Sequence, residues 1–335
     1  MKASIPETMP AVGLGEDGRL SCSLKAVPQP QQGEVLVKMS AAPINPSDLA
    51  RIRQMQGTAM ETNFICGIEG SGTVVACGSG LLPRLWLGKR VACSSLTPAS
   101  GTWAGYMVTS AMHCIPLPAG INYEQGAMML VNPMTAVAFI DISRKKGHKA
   151  IVNTASASSL GRMLELLAHQ QGIPLVNIVR NNKQKQDLLA SGSIHVLSSA
   201  DEDFPGSFSE LARQLKASLI LDAVGGQLTR LLLMAAPPGS DIVIYGNLSG
   251  EEPEIDHRSI VTENKKVSGF FLGNWLKEGS LLNKVYTIIR VRKLLKREFT
   301  IPVQGRFSLH NAQEAVDAYL GNMTAGKVLL IPDGA

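Results

Sequence analysis

Long apolar runs are missing from this chain, and no segment reaches the roughly 18 to 20 residues that a membrane-spanning helix needs. The first twenty residues carry Pro6, Glu7, Pro10, Glu16 and Asp17 without an apolar core, so no secretory signal is expected. Five cysteines, at 22, 66, 77, 93 and 114, form no C-x-x-C pair and leave an odd number, so neither a disulfide framework nor a zinc knuckle is suggested. Reduced thiols and a cytoplasmic protein are expected. No tyrosine is followed four residues later by lysine and no G-x-S-x-G string occurs, which removes the short-chain reductase pair and the hydrolase nucleophile elbow. Charge is also scarce. Charged residues are 18% and the net charge is +5, too mild for nucleic-acid binding and better suited to an anionic cofactor or substrate.

What the chain does have is a globular balance, with 45% hydrophobic residues over 335 positions, enough for two domains. The basic stretch RVRKLLKRE at 290–298 follows Ile288 and Ile289 and contains Val291, Leu294 and Leu295 at helical spacing, so its Arg and Lys form the solvated face of an amphipathic helix. Residues 1–120 hold short β-like runs separated by Gly and Pro: EVLVKMSA at 34–41, GSGTVVACG at 70–78, GKRVAC at 88–93 and AGYMVTS at 104–110. From about residue 121 strands alternate with helices of ten or so residues, the signature of right-handed βαβ units on a parallel sheet. The last 35 residues return to the first style. The expected fold is therefore α/β: a doubly wound domain over 121–299 inserted into a discontinuous β-rich domain made of 1–120 and 300–335.

The segment IVNTASASSLGRML, residues 151–164, runs from strand-like through small residues into helix-like sequence. Laid on the dinucleotide template G-x-G-x-x-G it reads Ser156-Ala157-Ser158-Ser159-Leu160-Gly161, with two glycines replaced by serine. A pyrophosphate is held by open backbone N–H groups and the positive end of the helix dipole, so small serines weaken the fingerprint without removing its mechanism. The following strand ends in Arg180, nineteen residues after Gly161, where an NAD site places a carboxylate on the ribose. Arg180, Asn181, Asn182 and Lys183 stand there instead, and a guanidinium grips a 2′-phosphate that a carboxylate would repel. The cofactor read from this pattern is NADPH.

NPSDL (45–49), GIEGSGTVV (67–75), GKRVA (88–92), GTWAGYMVT (101–109), VNPMTA (131–136), LDAVGG (221–226), YGNLSG (245–250), GFFLGNW (269–275) and GKVLL (326–330) occur in this order. With them the whole chain resembles the medium-chain dehydrogenase/reductase superfamily, in its zinc-free quinone oxidoreductase and mitochondrial-type 2-enoyl thioester reductase branches. The resemblance implies a GroES-like β domain beside a Rossmann domain, with the nicotinamide between them. It implies Asn132 and Thr135 near the nicotinamide end, and Ser158, Ser159, Leu160 and Gly161 at the pyrophosphate. Arg180, Asn181 and Asn182 are implied at the adenosine phosphate; Tyr245, Gly246, Asn247, Leu248, Phe270, Phe271, Leu272 and Gly273 at the nicotinamide ribose and carboxamide. Lys327 is expected to reach back from the last strand. Where zinc-dependent relatives hold Cys, His and Cys, this chain has Asn45, Ile68 and Val131, which cannot form that metal set.

Without a metal, the expected reaction is hydride transfer from NADPH to an electron-poor acceptor. Enoyl thioester reduction also needs a proton donor, and the branch that performs it places a tyrosine where this chain reads Gln56-Gly57-Thr58-Ala59. Tyr123 is one alternative donor. A quinone asks for no dedicated acid, so reduction of a quinone or small enone is favoured, with enoyl-CoA-type reduction as the alternative and a non-catalytic NADPH-binding sensor or scaffold as the reading from another class. Asn45 and Asp48 are the candidate catalytic residues, Asp48 with the competing role of capping the helix that follows. A homodimer is expected, paired through an edge strand near 265–275.

Overall fold

Alternating apolar residues build the first strands, and the computed structural model describes them within residues 5–15, 17–58, 63–95, 97–297 and 300–332. In chain order the opening elements are β1 (Thr8–Leu14), β2 (Leu20–Ala26), β3 (Glu34–Pro43), α1 (Pro46–Met55), β4 (Glu69–Cys77), α2 (Leu81–Trp86) and β5 (Arg90–Ser94). They are followed by β6 (Tyr106–Ser110), β7 (Cys114–Pro116) and α3 (Tyr123–Ala127). The alternating middle runs α4 (Val131–Lys146), β8 (Ala150–Asn153), α5 (Ser159–Gln170), β9 (Leu175–Val179), α6 (Asn182–Ala190), β10 (His195–Ser198) and α7 (Phe204–Gln214). It continues with β11 (Ala217–Asp222), α8 (Gly226–Ala235), β12 (Asp241–Ile244), α9 (His257–Glu263), β13 (Lys266–Gly269), α10 (Leu272–Glu278) and α11 (Leu281–Arg297). The chain closes with β14 (Val303–Ser308), α12 (Ala312–Gly321) and β15 (Lys327–Ile331).

These elements form two compact units, residues 1–131 with 291–335 and residues 132–290. The first unit extends beyond the expected boundary at 120 because α3 packs on its strands. The Tyr123 carbonyl accepts the Ser71 hydroxyl at 2.5 Å and its phenol lies 2.7 Å from Thr73 Oγ1. The second boundary likewise falls at 291, within α11, instead of at 300, with Val291 and Leu294 buried. The same helix corrects the expected apolar face: Ile289 is 56% exposed, and Arg290 pairs with Asp141 at 2.5 Å rather than facing solvent alone.

In the first unit β14, β15, β3, β4, β5 and β7 form a continuous sheet, with β6 also on β3. The β1–β2 hairpin, not anticipated from the sequence, forms a separate antiparallel ribbon. Trp103, Phe64, Ile44, Val328 and Leu330 share one core with Tyr319 of α12. In the second unit the strand order is β10-β9-β8-β11-β12-β13, with every pairing parallel. Strands buried on both faces read as unbroken apolar runs, as in LVNIV and ASLILD. This is a doubly wound Rossmann sheet, whose order reverses between β8 and β11, and a ligand crevice forms at the carboxyl ends of strands at such a point. Among the described residues no helix is long and apolar enough to cross a membrane.

Candidate active site

In the second unit, most residues singled out from the sequence lie just beyond the carboxyl ends of its strands. After β8 the chain turns through Ala155, whose left-handed φ of 50° is a strained conformation for a residue with a side chain. Ser158 caps α5 by accepting the Gly161 N–H at 3.2 Å. The N–H groups of Ser159 and Leu160, at the first two positions of that helix, have no acceptor among the described contacts. A Cβ on Gly161 would stand 2.3 Å from the Ser156 carbonyl oxygen, so the turn can close on the helix only with glycine there. Ser156, deeper in the turn, is used internally, donating to the Asn153 carbonyl at 2.7 Å.

After β9, Arg180 is exposed and its guanidinium has no partner among the described contacts. Its two neighbours are engaged: Asn181 caps α6 by accepting the Gln184 N–H at 3.0 Å, and the Asn182 side chain bonds Asp201, helping Lys185 hold that carboxyl below its usual range. After β12, the Tyr245 phenol donates to Asn153 Oδ1 at 3.2 Å, and burial pushes its pKa up, so it remains protonated. Gly246 faces the Ala223 carbonyl, while Asn247 accepts from Ser249 and Leu248 is exposed.

Phe139 of α4 joins two of these segments, its ring 4.9 Å from Tyr245 and 4.8 Å from Phe270 between centroids. It is a residue the sequence reading missed. Its only sequence signal is its place one helical turn after Thr135, which is itself buried, with Asn132 partly exposed one turn before. Phe271 stands exposed, 67% accessible, at the position just before α10, with Leu272 and Gly273 starting the helix behind it.

The first unit holds a different constellation. Asn45 and Asp48 flank the start of α1, where Pro46 has no N–H and so leaves no donor unpaired. Asp48 Oδ2 accepts the Asn45 N–H at 2.8 Å and Oδ1 accepts the Ile68 N–H at 2.8 Å, so its carboxylate ties the helix start to the strand beside it. Lys327, the first residue of β15, donates to Asn45 Oδ1, and Asn45 Nδ2 donates to Glu69 Oε1 at 2.9 Å. Glu69 Oε2 accepts the N–H groups of Leu130 and Val131 at 3.0 and 2.9 Å, at the positive end of α4.

All four side chains are buried: Asn45, Asp48 and Glu69 are each 1% exposed and Lys327 3%. Burial raises the Glu69 pKa and lowers that of Lys327, while each partner's charge opposes the shift. Burial, helped by the Glu69 charge, pushes Asp48 up to about 7, against the pull of its two backbone N–H donors. Glu69 was not read as a site residue; in the sequence it is a lone carboxylate in a run of small residues.

Ala59, where the resemblance places a tyrosine, lies outside the described residues. Tyr123 is bonded to Thr73 and lies beneath Arg90, whose guanidinium carbon is 4.7 Å from the ring centroid. Among the described residues no group of three or more His, Cys, Asp and Glu is arranged to hold a metal ion.

Comparison with known proteins agrees with this architecture. Residues 31–119 match the alcohol dehydrogenase GroES-like domain and residues 159–285 match the zinc-binding dehydrogenase domain. The chain is 28% identical over 305 residues to the mitochondrial enoyl-[acyl-carrier-protein] reductase of Bos taurus, covering 88% of this chain and 80% of that protein. It is 30% identical over 261 residues to the Arabidopsis thaliana protein of the same name, covering 75% of this chain and 68% of that one. A crystal structure from Mesorhizobium loti, of a protein named for NADPH:quinone reductase activity, is 31% identical with a TM-score of 0.88, covering 98% of this chain and 100% of that one. The chain belongs to the medium-chain dehydrogenase/reductase superfamily, in the zinc-free branch that contains quinone reductases and mitochondrial-type enoyl reductases.

Proposed function

We propose that the protein is an NADPH-dependent oxidoreductase that reduces a quinone or a small enone without a metal. The observation that carries this reading is the open N-terminus of α5 at the strand-order reversal, followed by the unpaired Arg180 after the next strand. These residues fit a phosphorylated dinucleotide. The Ser159 and Leu160 N–H groups need acceptors, Gly161 allows the close turn, and Arg180 is the cation for a 2′-phosphate. When bound, the reduced nicotinamide supplies a hydride to the acceptor. Tyr245, Phe270 and Phe139 form the aromatic cluster that shapes the nicotinamide end, with Thr135 and Asn132 on the same helix as Phe139.

Asn45 is the residue we assign to the acceptor, and Asp48 fixes the helix start that carries it. A quinone reduced by hydride takes its proton from water. Enoyl thioester reduction is the second reading, favoured by the names of the bovine and Arabidopsis relatives. The free edge of β13 and the exposed Phe271 support a homodimer paired along that edge, and five free cysteines support a reducing compartment, proposed as the cytoplasm.

The test is NADPH oxidation followed with benzoquinones, small enones and a crotonyl thioester as acceptors. Turnover on quinones or enones supports the reading, and turnover on the thioester alone supports the second. Saturable NADPH binding without oxidation on any acceptor would make the protein a sensor or scaffold.

A further inference from the structure

We propose that Glu69 and Lys327 are positioning residues that hold the Asn45 amide in one orientation, as a strengthened hydrogen-bond donor to the carbonyl oxygen of the acceptor. The inference rests on the reductase reading above and adds to it the groups that make the donor.

The Asn45 amide stands between opposite charges: its oxygen accepts from the Lys327 ammonium and its nitrogen donates to the Glu69 carboxylate at 2.9 Å. A flipped amide would set N–H groups against the ammonium and oxygen against the carboxylate, so one orientation is enforced. Glu69 cannot swing away to accommodate a flip, because its other oxygen is fixed by the Leu130 and Val131 N–H groups. Lys327 is held by strand pairing, with Leu329 and Leu330 of β15 in register with Pro43 and Ala42, just before Asn45 in the chain.

A primary amide has two N–H donors, and Glu69 accounts for one. The second has no acceptor among the described contacts. Asp48 holds the Asn45 and Ile68 backbone N–H groups, and no bond from the Asn45 amide to it is among the described contacts. An ammonium on the amide oxygen draws electron density from the nitrogen, which strengthens the remaining N–H as a donor. With its partners all but withdrawn from water, that donor needs no reorganisation when charge develops opposite it.

When a conjugated carbonyl accepts a hydride, an electron pair moves onto its oxygen. The Asn45 N–H stabilises that oxygen without giving up its proton, and water supplies the proton that completes the reduction.

The experiment compares the wild type with Asn45→Ala, Lys327→Met, Lys327→Arg and the double variant Lys327→Met/Glu69→Gln, each checked for folding by circular dichroism. Two quantities are read: kcat and KM for a benzoquinone at saturating NADPH, and the affinity of the matching hydroquinone without cofactor. Loss of one oriented donor lowers kcat about 100- to 1,000-fold, with a smaller change in KM. Asn45→Ala and the double variant should fall together in this range, and adding Asn45→Ala to the double variant should cost little more. Lys327→Arg should recover part of kcat, and hydroquinone affinity should fall in parallel with kcat. The inference is overturned if the folded double variant keeps wild-type kcat, if its loss multiplies with that of Asn45→Ala, or if Asn45→Ala changes neither quantity. A wild type without turnover whose hydroquinone affinity still depends on Asn45 and Lys327 overturns the reductase reading and leaves the donor assignment standing. Absence of both turnover and hydroquinone binding overturns both.

Discussion

Replacing Lys327 by methionine leaves Glu69 as an uncompensated carboxylate inside the first unit, and the structure sets how much that costs. Removing one member of a buried charge pair typically destabilises by about 3 to 5 kcal/mol, most of it the penalty of the charge left behind. Glu69 keeps three N–H donors, from Asn45, Leu130 and Val131, two of them at the start of α4. A helix N-terminus contributes up to roughly 2 kcal/mol to a partly buried anion, so the loss belongs at the low end, about 3 kcal/mol. The double variant Lys327→Met/Glu69→Gln removes both charges, and the coupling between the two sites should return about 1 to 2 kcal/mol relative to the sum of the single losses. The assay is urea unfolding followed by tryptophan fluorescence, since Trp86 and Trp103 both lie in this unit. A loss below about 1 kcal/mol at unchanged m, or strict additivity in the double variant, would refute the reasoning.

Three further outcomes are expected. Arg180→Gln should weaken NADPH by about 10- to 100-fold, the worth of a charge-assisted contact, and leave NADH nearly unchanged; equal losses in calorimetry would count against the 2′-phosphate assignment. Gly161→Ala should destabilise by about 1 to 3 kcal/mol, because the added carbon meets backbone at 2.3 Å and the helix must shift, and nucleotide affinity should fall with it. Burial lowers the His148 pKa below 6.5 in the fold, against the opposing charge of Asp241, whose carboxylate is 3.6 Å from Nε2. The unfolded chain therefore binds that proton first, so stability should decline as pH falls from 6.5 toward the lower folded value, and His148→Phe should flatten that decline.

The second unit was readable because its signals are local. Strands such as LVNIV are buried on both faces and separated by amphipathic helices, and the residues that follow them must lie at the carboxyl edge of a parallel sheet. Motif spelling alone would have misled. A literal G-x-G-x-x-G string occurs at 13–18, starting within the end of β1, and the next element is the strand β2 and not a helix. The turn that does open a helix carries serines and a strained alanine, and the contacts proposed for it are backbone N–H groups that have no letter in the sequence.

The charged cluster of the first unit was only half legible. Asn45 and Asp48 share one motif, but their partner Lys327 is 282 residues from Asn45, and Glu69 is joined to Val131 across 62. Pairing over such distances is set by strand register and not by spacing. The β1–β2 ribbon was missed because its second strand is largely exposed and offers no apolar run. Ile289 was misplaced because an apolar residue at helical spacing reads as core whether or not something covers it.

The most direct test of the account is isothermal titration of the purified chain with NADPH and with NADH. Saturable uptake of NADPH, tighter than NADH, is the predicted result, and a folded protein that takes up neither nucleotide would contradict it.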